Sequence, residues 1–204
     1  MYVQDTLSPV RPHGHYQLVD SNWRHVGFRE VPLEWRDDYV VGFVRNPYSL
    51  LVSWYALMHR MDVQMHHYDR ELAILSFRDF VTLLAHRRHS WPQRYPLHWQ
   101  LFDEDWSLGV NYLGRFETLD ADLRHIAEIT GATYTPREPS NAAPHQPYRE
   151  FYDNSLIRLV DEAWHADLSY FGYDIDGPTG QHLVEFGPGS SAPAPNKQRP
   201  RFAR

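Results

Sequence analysis

The chain has 204 residues, 42% hydrophobic and 23% charged, with no cysteine. That length suits one domain with its own core and a short tail, and the missing thiols exclude a disulfide framework, a thiolate zinc site and a cysteine nucleophile. The net charge of −6 is uneven: residues 177–204 hold Lys197, Arg199, Arg201 and Arg204 against Glu185, which leaves −9 on residues 1–176, a body that repels a phosphate backbone and predicts no nucleic-acid partner.

Residues 1–36 are rich in His, Pro and Trp and show no period. The opening MYVQDTLSPVRPHGH lacks the form of a signal peptide, and no apolar run approaches the ~18 residues of a membrane span. A soluble, cytoplasmic protein with no membrane partner is expected. Tyr39–Val44 is a short apolar run with β-branched residues, which reads as a strand buried on both faces. Pro47 suits the first turn of a helix, and Leu51, Tyr55 and Met58 recur at helical spacing up to about residue 60. A second helix is predicted over 77–88, opened by Ser76 with Asp79 in a capping box. Val110–Leu113 reads as a strand, and 119–130 as a helix with Leu119, Leu123, Ile126 and Ile129 on one face and Gly131 as its stop. The four prolines in 132–147 predict a loop. Asn154 is expected to cap a helix over about 155–170. Strands alternating with helices predict an α/β fold with a mainly parallel sheet over residues 1–176. Residues 177–204 are rich in Gly, Pro and Ser and read as a disordered basic tail.

Lys197 is the sole lysine, so an anionic ligand of the folded body must be held by arginine. Arg45 stands at the carboxyl end of the first predicted strand, where α/β proteins place ligands. The helix after it offers N–H groups and a positive dipole end to an anion. Arg45 adds a planar fork for bidentate phosphate contact, and Ser53 a hydroxyl one to two turns in. The spacing alone leaves open the plainer reading, in which Arg45 pairs with a carboxylate and Ser53 is an ordinary helix-face residue.

The segment Phe43-Val-Arg-Asn-Pro-Tyr-Ser-Leu-Leu-Val-Ser-Trp-Tyr55 resembles the 3′-phosphate motif of sulfotransferases that use 3′-phosphoadenosine 5′-phosphosulfate (PAPS), especially the carbohydrate or Golgi type and its bacterial relatives. In that pattern an Arg, and a Ser eight residues later, grip the nucleotide's 3′-phosphate; Arg45 and Ser53 match, while the second Arg of the pattern is Leu50 here. Tyr112-Leu-Gly-Arg-Phe-Glu117 with Asp122 and Leu123, and Asn141 with Tyr148–Tyr152 and Asp167–Tyr173, are similar to later stretches of the same family. The resemblance covers about residues 13–175. It implies a P-loop-like three-layer fold, a sulfuryl transfer from PAPS to a carbohydrate or small-metabolite hydroxyl, and Arg149 as an additional phosphate contact.

His13-Gly-His15 is similar to the family's upstream Gly-His or His-Gly-His, which implies His15, or else His13, as general base. A neutral imidazole suits that task. A metal pair and plain surface histidines are the competing readings, and no metal is expected. His66-His67 with Asp69 and His86 to His89 read as solvated faces; Glu162 and His165 have the spacing of a di-iron pair, but one copy exists where two are needed. The family's phosphate loop, Pro-Lys-x-Gly-Thr/Ser, has no counterpart in the sequence, so the fold is expected to lack its N-terminal strand-loop-helix, with the true start upstream of Met1. Arg11 or Arg24 would partly replace the missing lysine. The alternative function is a non-catalytic binding or regulatory module on the same fold.

Overall fold

The computed structural model describes residues 7–8, 39–59, 72–87, 101–102, 108–136, 144–180 and 184–185. The chain divides into two compact units. One comprises residues 1–44, 95–137 and 182–204, the other 45–94 and 138–181.

The first unit holds a three-stranded sheet in the order β2-β3-β7, from β2 (Val41–Val44), β3 (Tyr112–Arg115) and β7 (Val184–Glu185). β2 and β3 run parallel, with Val41 opposite Tyr112 and Val44 opposite Arg115. β7 runs antiparallel to β3, so the sheet is mixed at its edge. Entry to β2 is set by Asn111, whose Oδ1 accepts from the Val40 amide at 2.8 Å. Gly42 and Gly114 occur where a side chain has no room: a Cβ on Gly42 would meet Leu101 Cδ2 at 2.7 Å, and one on Gly114 would meet the Phe43 ring at 2.5 Å. Along β2, buried residues alternate with half-buried ones, rather than being buried on both faces as the apolar run predicts.

A 3₁₀ turn (Phe116–Thr118) leads from β3 into α3 (Leu119–Thr130), which ends at Gly131 in the left-handed conformation (φ 70°). α3 packs Leu123, Ile126 and Ala127 against Tyr112. Ile129, expected on that face, is 39% exposed; Ala127 takes its place, because its position falls closer to the centre of the buried stripe. Within the predicted 132–147 loop, β4 (Thr133–Tyr134) pairs antiparallel with β1 (Leu7–Ser8).

The second unit is helical. α1 (Pro47–Met58) starts on Pro47 at N1, as its fixed φ predicts, and ends at Met58, short of about residue 60. α2 (Phe77–Arg87) carries the predicted capping box: Ser76 Oγ accepts from the Asp79 amide at 3.2 Å and donates to its carboxylate at 2.6 Å. A 3₁₀ turn (Tyr148–Phe151) precedes α4 (Asn154–Ala163) and α5 (His165–Phe171). The single helix expected here is broken at Trp164 (φ −111°, ψ 22°). The apolar positions 156, 160, 164 and 168 keep helical spacing through the break, so no period marks it. The cap is Asp153 rather than Asn154: its Oδ1 accepts from the amides of Ser155 and Leu156, both at 2.9 Å.

β5 (Tyr173–Asp174) and β6 (Gly177–Pro178) form a two-stranded ladder. The expected tail therefore begins too early at 177, since Gly177–Pro178 and Val184–Glu185 both pair as strands; residues 186–204 lie outside the described residues.

Candidate functional site

The Arg-Asn-Pro sequence opens the second unit. Asn46 is 1% exposed and works in two directions. Its Oδ1 accepts from the Tyr48 amide at 3.0 Å, capping α1, and its Nδ2 donates to the Asp174 carbonyl of β5 at 2.8 Å. This narrows the helix-terminus expectation. Pro47 has no N–H and the Tyr48 amide is taken, so Ser49 carries the remaining first-turn amide. The backbone at this terminus therefore offers few free donors, and side chains would have to supply most contacts to any anion.

The side chains are arranged for it. Arg45 Nε donates to Ser49 Oγ at 2.8 Å. Ser53 follows Ser49 by four residues in the same helix, so both hydroxyls lie on one face about 6 Å apart along the axis. Helical Cα–Cβ bonds tilt toward the N-terminus, so Ser53 leans back toward the Arg45 end. Arg45, Ser49 and Ser53 are each half-buried, close enough to water to exchange it for a ligand. Arg45 lies just ahead of the helix and meets Ser49, while Ser53 sits within the helix one turn beyond Ser49. Ser49 is an addition, and its signal was available: it sits four residues after Arg45 and four before Ser53.

The platform beneath them is fixed. Tyr48 is fully buried and its hydroxyl donates to Asp161 Oδ1 at 2.7 Å, with the Ile157 carbonyl 3.2 Å from it, both in α4. Tyr152 donates to the Tyr48 carbonyl at 2.9 Å, with the two rings edge to face. Burial, reinforced for Tyr48 by the neighbouring Asp161 carboxylate, pushes both phenols well above their ordinary value, so both stay protonated donors. Three ties therefore hold the start of α1: Asn46 to β5, Tyr48 to α4, and Tyr152 to the Tyr48 carbonyl.

Arg149 is exposed and forms an ion pair with Asp176, next to the bond from Tyr148 OH to the Ile175 carbonyl at 2.9 Å. The pair fastens the β5–β6 turn. His13 and His15, the proposed bases, lie outside the described residues, as do Arg11, Arg24, His66, His67, Asp69, His89 and Asn141. His86 hydrogen-bonds the Thr82 carbonyl in its own helix, and His165 neighbours the Ser169 hydroxyl at 3.4 Å. Among the described residues no group of three or more His, Asp or Glu side chains could hold a metal ion.

The Gly-Arg-Phe-Glu stretch lies in the first unit and is built around a buried carboxylate. Asp122 in α3 accepts from the Arg115 amide at 2.8 Å, from Thr118 Oγ1 at 2.9 Å and from Tyr112 OH at 3.0 Å. One aspartate thus closes the turn from strand to helix.

The family model for the sulfotransferase family matches residues 16–174. No curated protein and no solved structure gives a significant match.

Proposed function

The chain belongs to the sulfotransferase family, and from that premise we propose that it moves a sulfuryl group from PAPS to a hydroxyl of a carbohydrate or small metabolite. The observation that carries this reading is the start of α1, where Arg45, two residues ahead of the helix, donates from Nε to Ser49 Oγ, with Ser53 one turn further along the helix. A guanidinium beside two hydroxyls on a braced helix suits the doubly charged 3′-phosphate that distinguishes this donor from common nucleotides. The proposed architecture is the P-loop-like three-layer fold of the family, and the proposed setting is cytoplasmic.

In the transfer, the acceptor oxygen forms a bond to sulfur while the bond from sulfur to the bridging phosphate oxygen breaks. That electron pair leaves on the 5′-phosphate of adenosine 3′,5′-bisphosphate. The acceptor's proton passes to a base, for which His15, with His13 as substitute, is our assignment. Holding the 3′-phosphate positions the donor for this step. Arg149 is a further proposed contact, one that would exchange Asp176 for a phosphate oxygen.

Calorimetry with adenosine 3′,5′-bisphosphate tests the site. Wild type is expected to bind and Arg45→Ala to lose at least tenfold in affinity. Equal heats for the two proteins would remove the proposed site. Binding without sulfuryl transfer to any hydroxyl acceptor would move the reading to a non-catalytic binding module.

A further inference from the structure

We infer that Asn46 is a positioning residue for nucleotide binding, one that sets where Arg45 stands by anchoring the start of α1 to β5; the inference rests on the reading of Arg45 as a phosphate ligand. Asn46 follows Arg45 directly and is 1% exposed, so its side chain has no surface to offer a ligand. Its Oδ1 accepts from the Tyr48 amide at 3.0 Å and its Nδ2 donates to the Asp174 carbonyl at 2.8 Å. Its own carbonyl accepts from the Leu50 amide at 2.9 Å. These bonds hold the Asn46 backbone (φ −52°, ψ 119°), which Pro47 restricts further from the other side. The peptide joining residues 45 and 46 is planar, so a fixed Asn46 fixes the carbonyl end of Arg45. Every contact of the guanidinium, the one with Ser49 Oγ included, is made from that anchored backbone.

The carbonyl that receives Asn46 is itself held. Asp174 Oδ1 accepts from the amides of Asp176 at 2.8 Å and Gly177 at 3.0 Å, which closes the β5–β6 turn. The Tyr148 hydroxyl donates to the next carbonyl, that of Ile175, at 2.9 Å. The residue type also fits the task. Serine, threonine or aspartate would cap α1 as well as asparagine does. Capping alone therefore does not require an amide. An amide is required to accept from Tyr48 at one atom and donate to a carbonyl from the other.

Calorimetry with adenosine 3′,5′-bisphosphate on the full chain compares wild type, Asn46→Ser, Arg45→Ala and the double variant, each shown by thermal melting to be folded at the temperature used. Serine keeps an oxygen for the Tyr48 amide but is too short to reach the Asp174 carbonyl. Asn46→Ser is expected to weaken binding about tenfold, within the range of coupling between neighbouring residues. In the Arg45→Ala background the same change is expected to cost less than about twofold, because no arginine is left to place. A lower melting temperature with unchanged affinity, or an equal loss in both backgrounds, would show a purely structural asparagine and overturn the inference. Asn46→Asp fills the same space and caps Tyr48, but its ionised oxygen cannot donate to Asp174; it is expected to bind more weakly, and wild-type affinity in this variant would also overturn the inference. Full affinity in Asn46→Ser beside a loss in Arg45→Ala would leave Arg45 as a phosphate ligand and remove only the role of Asn46. No binding by wild type, or equal binding by Arg45→Ala, would overturn the reading of Arg45 and this inference together.

Discussion

Replacing Asp122 by alanine removes the acceptor for three donors at once. Two of them are deeply buried: the Arg115 amide, on a residue 7% exposed, and the hydroxyl of Tyr112, 1% exposed. A buried donor deprived of its acceptor costs about 1–3 kcal/mol. Thr118 sits at the exposed start of α3 and can turn to water. Asp122→Ala is therefore expected to lower stability by about 2–6 kcal/mol, read as a shift in the urea midpoint at constant slope. Asp122→Asn makes the prediction sharper. Its carbonyl oxygen can serve the Arg115 amide and Thr118 while its NH₂ donates to Tyr112, since a phenol both donates and accepts. It should cost only about 1 kcal/mol. Equal losses for the alanine and asparagine variants, or a loss below about 1 kcal/mol for alanine, would refute the view that this carboxylate organises the turn.

Gly114→Ala, whose Cβ would lie 2.5 Å from the Phe43 ring and 2.9 Å from Asp122 Oδ2, is expected to cost about 1–3 kcal/mol in the same assay. Tyr48→Phe removes a phenol that folding holds protonated. Because its folded value is raised, its contribution is complete below the ordinary value of 10.0 and declines as the unfolded chain ionises above it. The variant should therefore lose less stability than wild type between pH 9 and 11, as followed by thermal melts. Asp153 has the opposite sign. The backbone amide of Leu156, then Ser155 and Arg78, hold its carboxyl below the ordinary value of 3.8. Its contribution is complete above that value and is lost as pH falls through the lower folded one. Asp153→Asn, which still caps α4 but carries no charge, should start below wild type at pH 7 and show a shallower fall in melting temperature below pH 4.

The elements that the bare sequence locates are those with local causes. The box of Ser76 and Asp79, Pro47 at the first position of α1, and Gly131 with positive φ each act within a few residues, and each structure forms where the residues indicate. The helix that carries Ser49 and Ser53 is legible for the same reason, because four residues of helix bring two positions to one face. The break at Trp164 is not legible, because the apolar period runs through it unchanged. The ion pair between Arg149 and Asp176 spans 27 residues, and an arginine's partner cannot be read from its neighbours in the chain.

The residues alone located the family resemblance, the helix that begins at Pro47 and carries Ser53, and a mainly parallel sheet with strands near 39–44 and 110–113; the second strand runs over Tyr112–Arg115. Only tertiary structure decided that Asn46 reaches 128 residues along the chain to the Asp174 carbonyl, that Tyr48 is anchored to α4, and that β3 gains an antiparallel neighbour at Val184–Glu185. Caps, turns and periods arise from contacts within one or two turns of backbone, whereas these ties join residues brought together by the burial of apolar surface elsewhere in the fold.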